Sequence, residues 1–217
     1  MIEPFAQKGV RGLLHRPEQP SGDALVLTHG AGSNCEAPLL VAVAREFAGA
    51  GFAVLRCDLP FRQARPAGPP SPGGAALDRE GLRSAVAAMR RIAGGRVYLG
   101  GHYYGGRQAS MLAAADASVA DGLLLLSYPL HPPRRPAERR TSHFPKLLTP
   151  AVFVHGSRDA FGTLEEMRAA LALIPAPTEL VEIGGAGHDL KSSAAAARAL
   201  KHFQAFTFSR YNGGSRS

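Results

Sequence analysis

The stretch from residue 96 to 115 constrains the fold most strongly, because glycines join a strand pattern to a helix pattern there. It begins with the short buried-strand run Arg-Val-Tyr-Leu and ends in good helix formers. The turn between them has the frame of the nucleophile-elbow motif G-x-S-x-G, with Tyr103 where the motif has serine. Gly101 and Gly105 suit this turn because a Cβ at either place would collide with a neighbouring element. The pattern predicts a strand-to-helix elbow with Tyr103 at its apex, although alone it also fits an ordinary tight loop.

Two later segments contain the partners that an elbow nucleophile requires, in the chain order nucleophile, acid, histidine. Asp159 follows the apolar run 151–155, where an orienting acid is expected. His188 lies in a glycine-rich loop after the run 179–183, from which its imidazole can act as a general base. Alone, such an aspartate is more often a turn former or helix cap, and such a histidine is more often solvated. Together with the elbow, they indicate a catalytic arrangement.

A strand pattern near the amino terminus runs into the glycine-rich loop Thr-His-Gly-Ala-Gly-Ser-Asn at residues 28–34. A loop of this kind supplies half of an oxyanion hole, so the backbone N–H groups of Ala31 and Tyr104 are the expected donors. The loop lacks the Gly-Lys-Ser/Thr ending of a phosphate-binding P-loop and does not follow the G-x-G-x-x-G pattern. It therefore predicts no nucleotide site.

The chain resembles the short, dienelactone-hydrolase-like members of the α/β-hydrolase superfamily over nearly its whole length. The matching stretches lie at residues 28–32, 56–61, 100–110, 155–163 and 185–190. The resemblance implies that Asp159 and His188 are members of a catalytic triad and that Ala31 and Tyr104 are the oxyanion donors. The sequence departs from the family at Tyr103, where the family has serine.

Strand and helix patterns alternate along the chain, which predicts one α/β-hydrolase domain over residues 1–211, with a mostly parallel sheet covered by helices on both faces. The predicted strands are 24–29, 52–57, 96–100, 122–128, 151–155 and 178–183. Two predicted helices carry the apolar stripes Leu39, Val43, Phe47 and Leu82, Val86, Met89, Ile92.

The connections between these elements are expected to be short. Residues 62–74 are rich in proline and predict an exposed loop, and residues 212–217 predict a frayed tail. About 20 residues separate the strands near 128 and 151, which predicts a short lid and no separate cap domain.

The composition fits one globular domain, since 217 residues with 45% hydrophobic content can bury a substantial core. No apolar run approaches the ~20 residues of a membrane span, and the amino terminus does not resemble a secretory signal. Cys35 and Cys57 fit free thiols better than a disulfide framework, and neither has metal-ligand spacing. We therefore expect a cytoplasmic protein without a metal or other cofactor.

The net charge of +8 comes mainly from arginine and raises the question of nucleic acid. The arginines are dispersed, apart from two pairs at 134–135 and 139–140, and no nucleic-acid motif accompanies them. We expect no specific nucleic-acid contact, and interpret residues 131–146 as a proline-stiffened loop over the site whose charge attracts anionic substrates. The expected partner is a small ester-like molecule; the sequence specifies no oligomeric state.

Tyr103 decides whether the chain is an enzyme. Its phenol oxygen lies a full ring farther from the backbone than a serine oxygen and overshoots the oxyanion donors, and ~1 Å of misplacement can cost ~10²-fold in rate. The sequence thus predicts an ester or thioester hydrolase scaffold that is nearly inactive, either a substituted hydrolase or a natural relative that lost its serine. The alternatives are a binding protein that uses the same pocket without turnover and, less favoured, Cys35 as a substitute nucleophile.

Overall fold

A computed structural model describes residues 1–71, 73–191 and 194–211. Its strands are β1 Ile2–Gln7, β2 Val10–His15, β3 Ala24–Thr28, β4 Ala53–Asp58, β5 Val97–His102, β6 Leu123–Leu126, β7 Ala151–Gly156 and β8 Thr178–Ile183. Its α-helices are α1 Pro38–Gly49, α2 Pro60–Ala64, α3 Ala75–Arg90, α4 Tyr104–Ala115, α5 Leu164–Leu171 and α6 Ala195–Tyr211. The expected frayed tail at 212–217 lies outside the described residues.

The eight strands form one sheet in the order β1-β2-β4-β3-β5-β6-β7-β8, and all pairs from β4 to β8 are parallel. All six predicted strands are present, with ends shifted by at most two residues. The central strands are apolar throughout because helices bury both of their faces, as in the four leucines of β6. Parallel strands bring their carboxyl ends to the same edge of the sheet, and that edge positions the site.

The sequence analysis missed the hairpin formed by β1 and β2, which pairs antiparallel with β4 at the edge of the sheet. Strand β1 buries only Phe5 and contains Pro4, and half of β2 is exposed or half-buried, so their apolar signal is weak. The signal available in the sequence was Gly9 at the turn. In the structure, Lys8 and Gly9 both have positive φ (45° and 79°). Two such residues form the tight turn that joins antiparallel strands.

Helices cover both faces of the sheet and define two apolar cores. One core contains the buried residues of α1 and α6, including Phe47 and Phe203. The other contains those of α3 and α4, including Leu82 and Leu112. The stripe predicted for α1 is buried at Val43 and Phe47, whereas Leu40 replaces the half-buried Leu39. The domain is therefore a three-layer α/β structure, as predicted.

The loop predicted at residues 62–74 is only partly correct. Its first residues belong to the short helix α2, and Arg62 is only 7% exposed. An arginine can be buried here because its guanidinium donates to four backbone carbonyls, which replace the lost water contacts. The chain from Arg65 to Pro69 is exposed, as expected.

Residues 129–150 form the short lid, with one turn of 3-10 helix at Phe144–Lys146 and no cap domain. Among the contacts that hold it to the body, Tyr128 donates its hydroxyl proton to the carbonyl of Arg140 at 2.6 Å, and His143 lies against Ser110 of α4. In the part of the chain that the structure describes, every helix is too short or too polar to cross a membrane.

Candidate active site

The turn between β5 and α4 has the strained geometry that the elbow pattern predicts. Tyr103 stands at its apex with φ 51° and ψ −112°, a backbone conformation that non-glycine residues rarely adopt. A Cβ at Gly101 would lie 2.9 Å from the backbone of Gly105 and Gly106, and one at Gly105 would lie 2.6 Å from the carbonyl oxygen of His29. Only glycine fits at these positions, so the backbone can hold Tyr103 at the carboxyl edge of the sheet.

Asp159 and His188 meet beside this elbow. The Nδ1 atom of His188 lies 2.9 Å and 3.0 Å from the two carboxylate oxygens of Asp159. The Asp159 side chain is fully buried, and its Oδ1 also accepts the backbone N–H of Phe161 at 2.8 Å. A carboxylate held in this way fixes the orientation of the imidazole.

The same contacts assign the protonation of the imidazole. Because the Asp159 carboxylate accepts at Nδ1, the proton of neutral His188 resides there and the lone pair is at Nε2. Nε2 is buried and has no hydrogen-bond partner among the described residues. An oriented imidazole with a free Nε2 is the arrangement that a general base needs.

An aromatic ring occupies the space where a nucleophile's hydroxyl would stand. The rings of Tyr103 and His188 meet edge to face, with centroids 4.7 Å apart and planes at 89°. Phe161 completes the cluster, with centroid distances of 4.2 Å to His188 and 4.9 Å to Tyr103. Among the described residues, no hydrogen bond joins the phenol to the imidazole. The ring of Tyr103, rather than its hydroxyl, lies against the candidate base.

Two histidines that the sequence analysis did not single out support this arrangement. His102 donates from Nε2 to the carbonyl of His188 at 2.9 Å, which ties the histidine loop to the elbow. His155 donates from Nε2 to the carbonyl of Gly162 at 2.8 Å and so holds the loop that carries Asp159. Burial lowers the pKa of both imidazoles, so both are neutral near pH 7. Their positions next to motif residues were the only signal in the sequence.

The side chain of His29 fixes the backbone of the loop that contains Ala31. The backbone N–H of Leu59 donates to Nε2 of His29 at 3.1 Å, so the proton is at Nδ1, which donates to the carbonyl of Gly30 at 2.8 Å. Burial lowers the pKa of His29, which keeps this ring neutral. In a trans peptide the N–H points opposite to the carbonyl, so this bond turns the Ala31 N–H away from His29.

Arg62 acts on the next peptides of the same loop. Its guanidinium donates to the carbonyl of Ala31 at 3.0 Å and to that of Ser33 at 2.8 Å, and its other bonds reach Arg65 and Gly68. The inward-facing carbonyl of Ala31 turns the following N–H, that of Gly32, outward. His29 and Arg62 thus orient two consecutive backbone donors, a geometry that suits a developing negative charge.

Tyr104, the second predicted oxyanion residue, begins helix α4. Its N–H belongs to the first turn of the helix, where no intrahelical carbonyl can accept it. Its side chain points elsewhere, because the hydroxyl donates to the buried carboxylate of Asp78 at 2.7 Å. Burial and this bond raise the pKa of the Tyr104 phenol, so the hydroxyl stays protonated as an anchor.

Cys35 does not suit the role of substitute nucleophile. Its side chain is buried, and burial together with the nearby Asp58 carboxylate raises the pKa of the thiol to about 12. The reactive form of a cysteine is the thiolate, which is essentially absent near pH 7 at such a pKa. Within the described residues, no group of three or more histidine, cysteine, aspartate or glutamate side chains is placed to hold a metal ion.

Comparison with known proteins agrees with this geometry. The model of a family described as an alpha/beta hydrolase domain matches residues 21–207, which is most of the chain. This chain belongs to that alpha/beta hydrolase family. The matched range spans residues 28–34 and 96–115 as well as Asp159 and His188, and the resemblance expected from the motifs is confirmed at the level of the family.

Solved structures share the whole fold of this alpha/beta hydrolase. TT1662 from Thermus thermophilus is 24% identical, with a TM-score of 0.73 over 100% of this chain and 99% of that one. Dienelactone hydrolase from Anabaena variabilis is 19% identical, with a TM-score of 0.72 over 95% and 97% of the two chains. An alpha-beta serine hydrolase homologue from Coxiella burnetii is 16% identical, with a TM-score of 0.71 over 95% and 96%. The domain is therefore dienelactone-hydrolase-like in fold.

Proposed function

We propose that this chain is an ester or thioester hydrolase scaffold in which Tyr103 occupies the nucleophile position, so that it has little or no serine-hydrolase activity as it stands. One observation carries the proposal: Nε2 of His188, oriented by Asp159 and without a hydrogen-bond partner among the described residues, belongs to a ring that lies against the ring of the residue at the elbow apex. The relatives named dienelactone hydrolase and serine hydrolase homologue support the reaction class.

With serine at position 103, the arrangement would carry out ester hydrolysis through an acyl-enzyme. The hydroxyl would lose its proton to Nε2 of His188 while attacking an ester carbonyl, and Asp159 would stabilise the imidazolium. The carbonyl oxygen, now negative, would accept hydrogen bonds from the N–H groups of Ala31 and Tyr104. His188 would then protonate the leaving alcohol or thiol, and a water activated by the same base would release the acid.

The tyrosine prevents the first step. Its ring fills the place of the attacking hydroxymethyl group, and its oxygen lies beyond the reach of donors that sit at the backbone of the elbow. Loss of a triad nucleophile leaves only the oxyanion hole and substrate binding, which give ~10³ to ~10⁴ over the uncatalysed reaction. We expect the unmodified chain to show at most this residual activity.

A non-catalytic binding protein is the second candidate. It is favoured by the mutual packing of Tyr103, Phe161 and His188, which closes the reaction centre with apolar contact. Either function implies a small ester-like ligand, and the net charge of +8 favours an anionic one during encounter. The two buried free cysteines agree with a reducing compartment such as the cytoplasm.

The test is the substitution Tyr103→Ser. We expect a gain of at least ~10²-fold in hydrolysis of short activated esters, together with labelling by a fluorophosphonate, because only the nucleophile is missing. The controls are the unmodified chain and the double variant Tyr103→Ser, His188→Ala. If the single variant neither labels nor turns over esters, or does so equally well without His188, the binding function replaces the hydrolase.

A further inference from the structure

A cavity of about 350 Å³ lies where the three segments of the candidate site meet. Ser33 of the oxyanion loop, His102 of the elbow and Asp189 of the histidine loop each contribute to its wall. Tyr103 does not line it, so the cavity is separate from the space that the phenol ring fills. The volume is at the lower end of the range for small-molecule sites.

The rest of the wall is mostly apolar. The first turns of α1 supply Pro38, Leu39 and Ala42, and the segment beyond His188 supplies Leu190 and Ala196. Leu190 and Ala196 are buried, whereas Ala42 is exposed at the mouth. A hydroxyl-rich ligand such as a sugar would lose its water contacts here without finding enough partners, and this loss is costly.

The charges near the cavity favour an uncharged group on the part of the ligand that enters it, whatever charge the rest of the ligand carries. Lys191 and Asp189 pair with each other at 2.8 Å, and both side chains are largely exposed. Burial lowers the pKa of His102, so its ring in the wall is neutral near pH 7. This leaves no unpaired charge among the described wall residues to attract an ionic group.

We propose that this cavity binds the apolar chain of an ester, with the ester carbonyl held toward the oxyanion loop. The volume accommodates roughly ten non-hydrogen atoms at the ~30 Å³ that a water-sized group occupies. A hexanoyl or hexyl chain fits this limit, and it can belong to the acyl or to the alcohol side of the ester. The inference rests on the proposed function for the ester, whereas the preference for an apolar chain rests on the cavity alone.

Binding to the unmodified chain tests the cavity without turnover. We expect ethyl hexanoate to shift the NMR signals of the Leu39 and Leu190 methyl groups, and to bind at least tenfold more tightly than ethyl acetate, because each buried CH₂ adds to affinity. Ala42→Phe should weaken this binding about tenfold by filling the mouth from an exposed position. Ala169→Phe, at an exposed site on α5, is the matched control and should bind as the unmodified chain does.

Turnover in the Tyr103→Ser background then shows whether the acyl chain or the alcohol chain of the ester occupies the cavity. Nitrophenyl hexanoate against nitrophenyl acetate measures acyl preference, and hexyl acetate against ethyl acetate measures alcohol preference. We expect one series to favour the longer chain by about tenfold in kcat/KM, and Ala42→Phe to remove that ratio. Unshifted methyl signals, or equal binding by the Ala42→Phe variant, would overturn the cavity proposal even if the enzyme is active. Methyl shifts without any turnover would instead overturn only the hydrolase.

Discussion

His188 and His143 each lie beside a hydroxyl-bearing residue at or in helix α4, but their surroundings differ. His143 is within 2.8 Å of the hydroxyl of Ser110, closer to a serine–histidine pair than anything at the elbow. Ser110, however, is fully buried and donates its proton to the carbonyl of Arg107 at 2.9 Å. Its hydroxyl therefore accepts from Nε2–H of His143, and this histidine cannot serve as its base.

The elbow has the opposite combination. The elbow has tyrosine in place of serine at position 103. Around it lie the strained turn, the orienting Asp159 and the outward N–H groups of the oxyanion loop. Under the proposed function, a hydroxyl close to an imidazole is not sufficient for acyl transfer. The proposal assigns catalytic capacity to the frame that would orient the base and stabilise an oxyanion, which the elbow has and the surroundings of Ser110 do not provide among the described residues.

The largest expected effect concerns the acid. In the Tyr103→Ser background, Asp159→Asn should return ester hydrolysis to the level of the unmodified chain, a loss of at least ~10²-fold. An amide in place of the carboxylate cannot hold the proton at Nδ1 of His188 or stabilise the imidazolium. Steady-state kcat/KM with nitrophenyl acetate measures it, and circular dichroism controls for folding. Activity retained within threefold would contradict the role assigned to Asp159.

The next effect concerns the oxyanion loop, which has no counterpart near Ser110. Arg62→Met leaves the four carbonyls around the guanidinium without their donor, so the free energy of unfolding should fall by about 3 kcal/mol. In the Tyr103→Ser background, kcat should fall about tenfold with KM nearly unchanged, because the donors act mainly on the transition state. Arg62→Lys should retain part of the stability and part of the kcat that Arg62→Met loses. A kcat that does not change would make Arg62 a purely structural residue.

The frame of the site was predictable because close backbone approach and chain order leave marks in the sequence. Gly101 and Gly105 are glycines because the elbow leaves no space for a Cβ atom. Asp159 and His188 each follow the end of a strand, which the apolar run before each residue indicates. Arg62 was not predictable in the same way, since it begins a stretch rich in proline and arginine that predicts solvent exposure. Its burial depends on two nearby carbonyls, those of Arg65 and Gly68, and on two from the distant loop at Ala31 and Ser33, which only the folded chain brings together.

The same limit applies to the pair formed by Ser110 and His143 and to the hairpin. Ser110 and His143 are 33 residues apart, and no spacing rule connects a helix residue to a lid residue. Strand β1, at the sheet edge, buries only Phe5, and β2 beside it buries three of its six residues, so neither sequence has the apolar run that identified the central strands. Long-range contacts and edge strands are where sequence patterns carry least information.

The comparison also predicts a difference in acid response. Burial and the positive charge of Arg107 lower the pKa of His143 to about 4, against 6.5 for an ordinary histidine. Between these values the unfolded chain takes up the proton and the folded chain does not, so the contribution of His143 to stability is present above pH 6.5 and lost as the pH falls toward 4. This loss amounts to about 2 kcal/mol.

Urea unfolding at pH 7.5 and pH 4.5 measures this acid response. The unmodified chain should lose about 2 kcal/mol more stability than His143→Gln on acidification. His15, whose pKa burial also lowers to about 4, is present in both proteins and cancels from the difference. Equal losses would mean that His143 takes up its proton in the folded state as an ordinary histidine does.

The smallest expected effect decides whether the comparison holds. Ser110→Ala removes the acceptor for His143 and the donor to Arg107, which should lower the free energy of unfolding by about 1 kcal/mol, the usual worth of such bonds. It should not change ester hydrolysis or fluorophosphonate labelling in the Tyr103→Ser background, because Ser110 is buried and, among the described residues, no carboxylate orients His143 as Asp159 orients His188. Intact-mass measurement of the labelled protein, with the modified peptide mapped by fragmentation, distinguishes the two serines directly. A label on Ser110, or a loss of labelling in the Ser110→Ala variant, would show that proximity to a histidine is enough in this molecule, and the assignment of catalytic capacity to the elbow would be wrong.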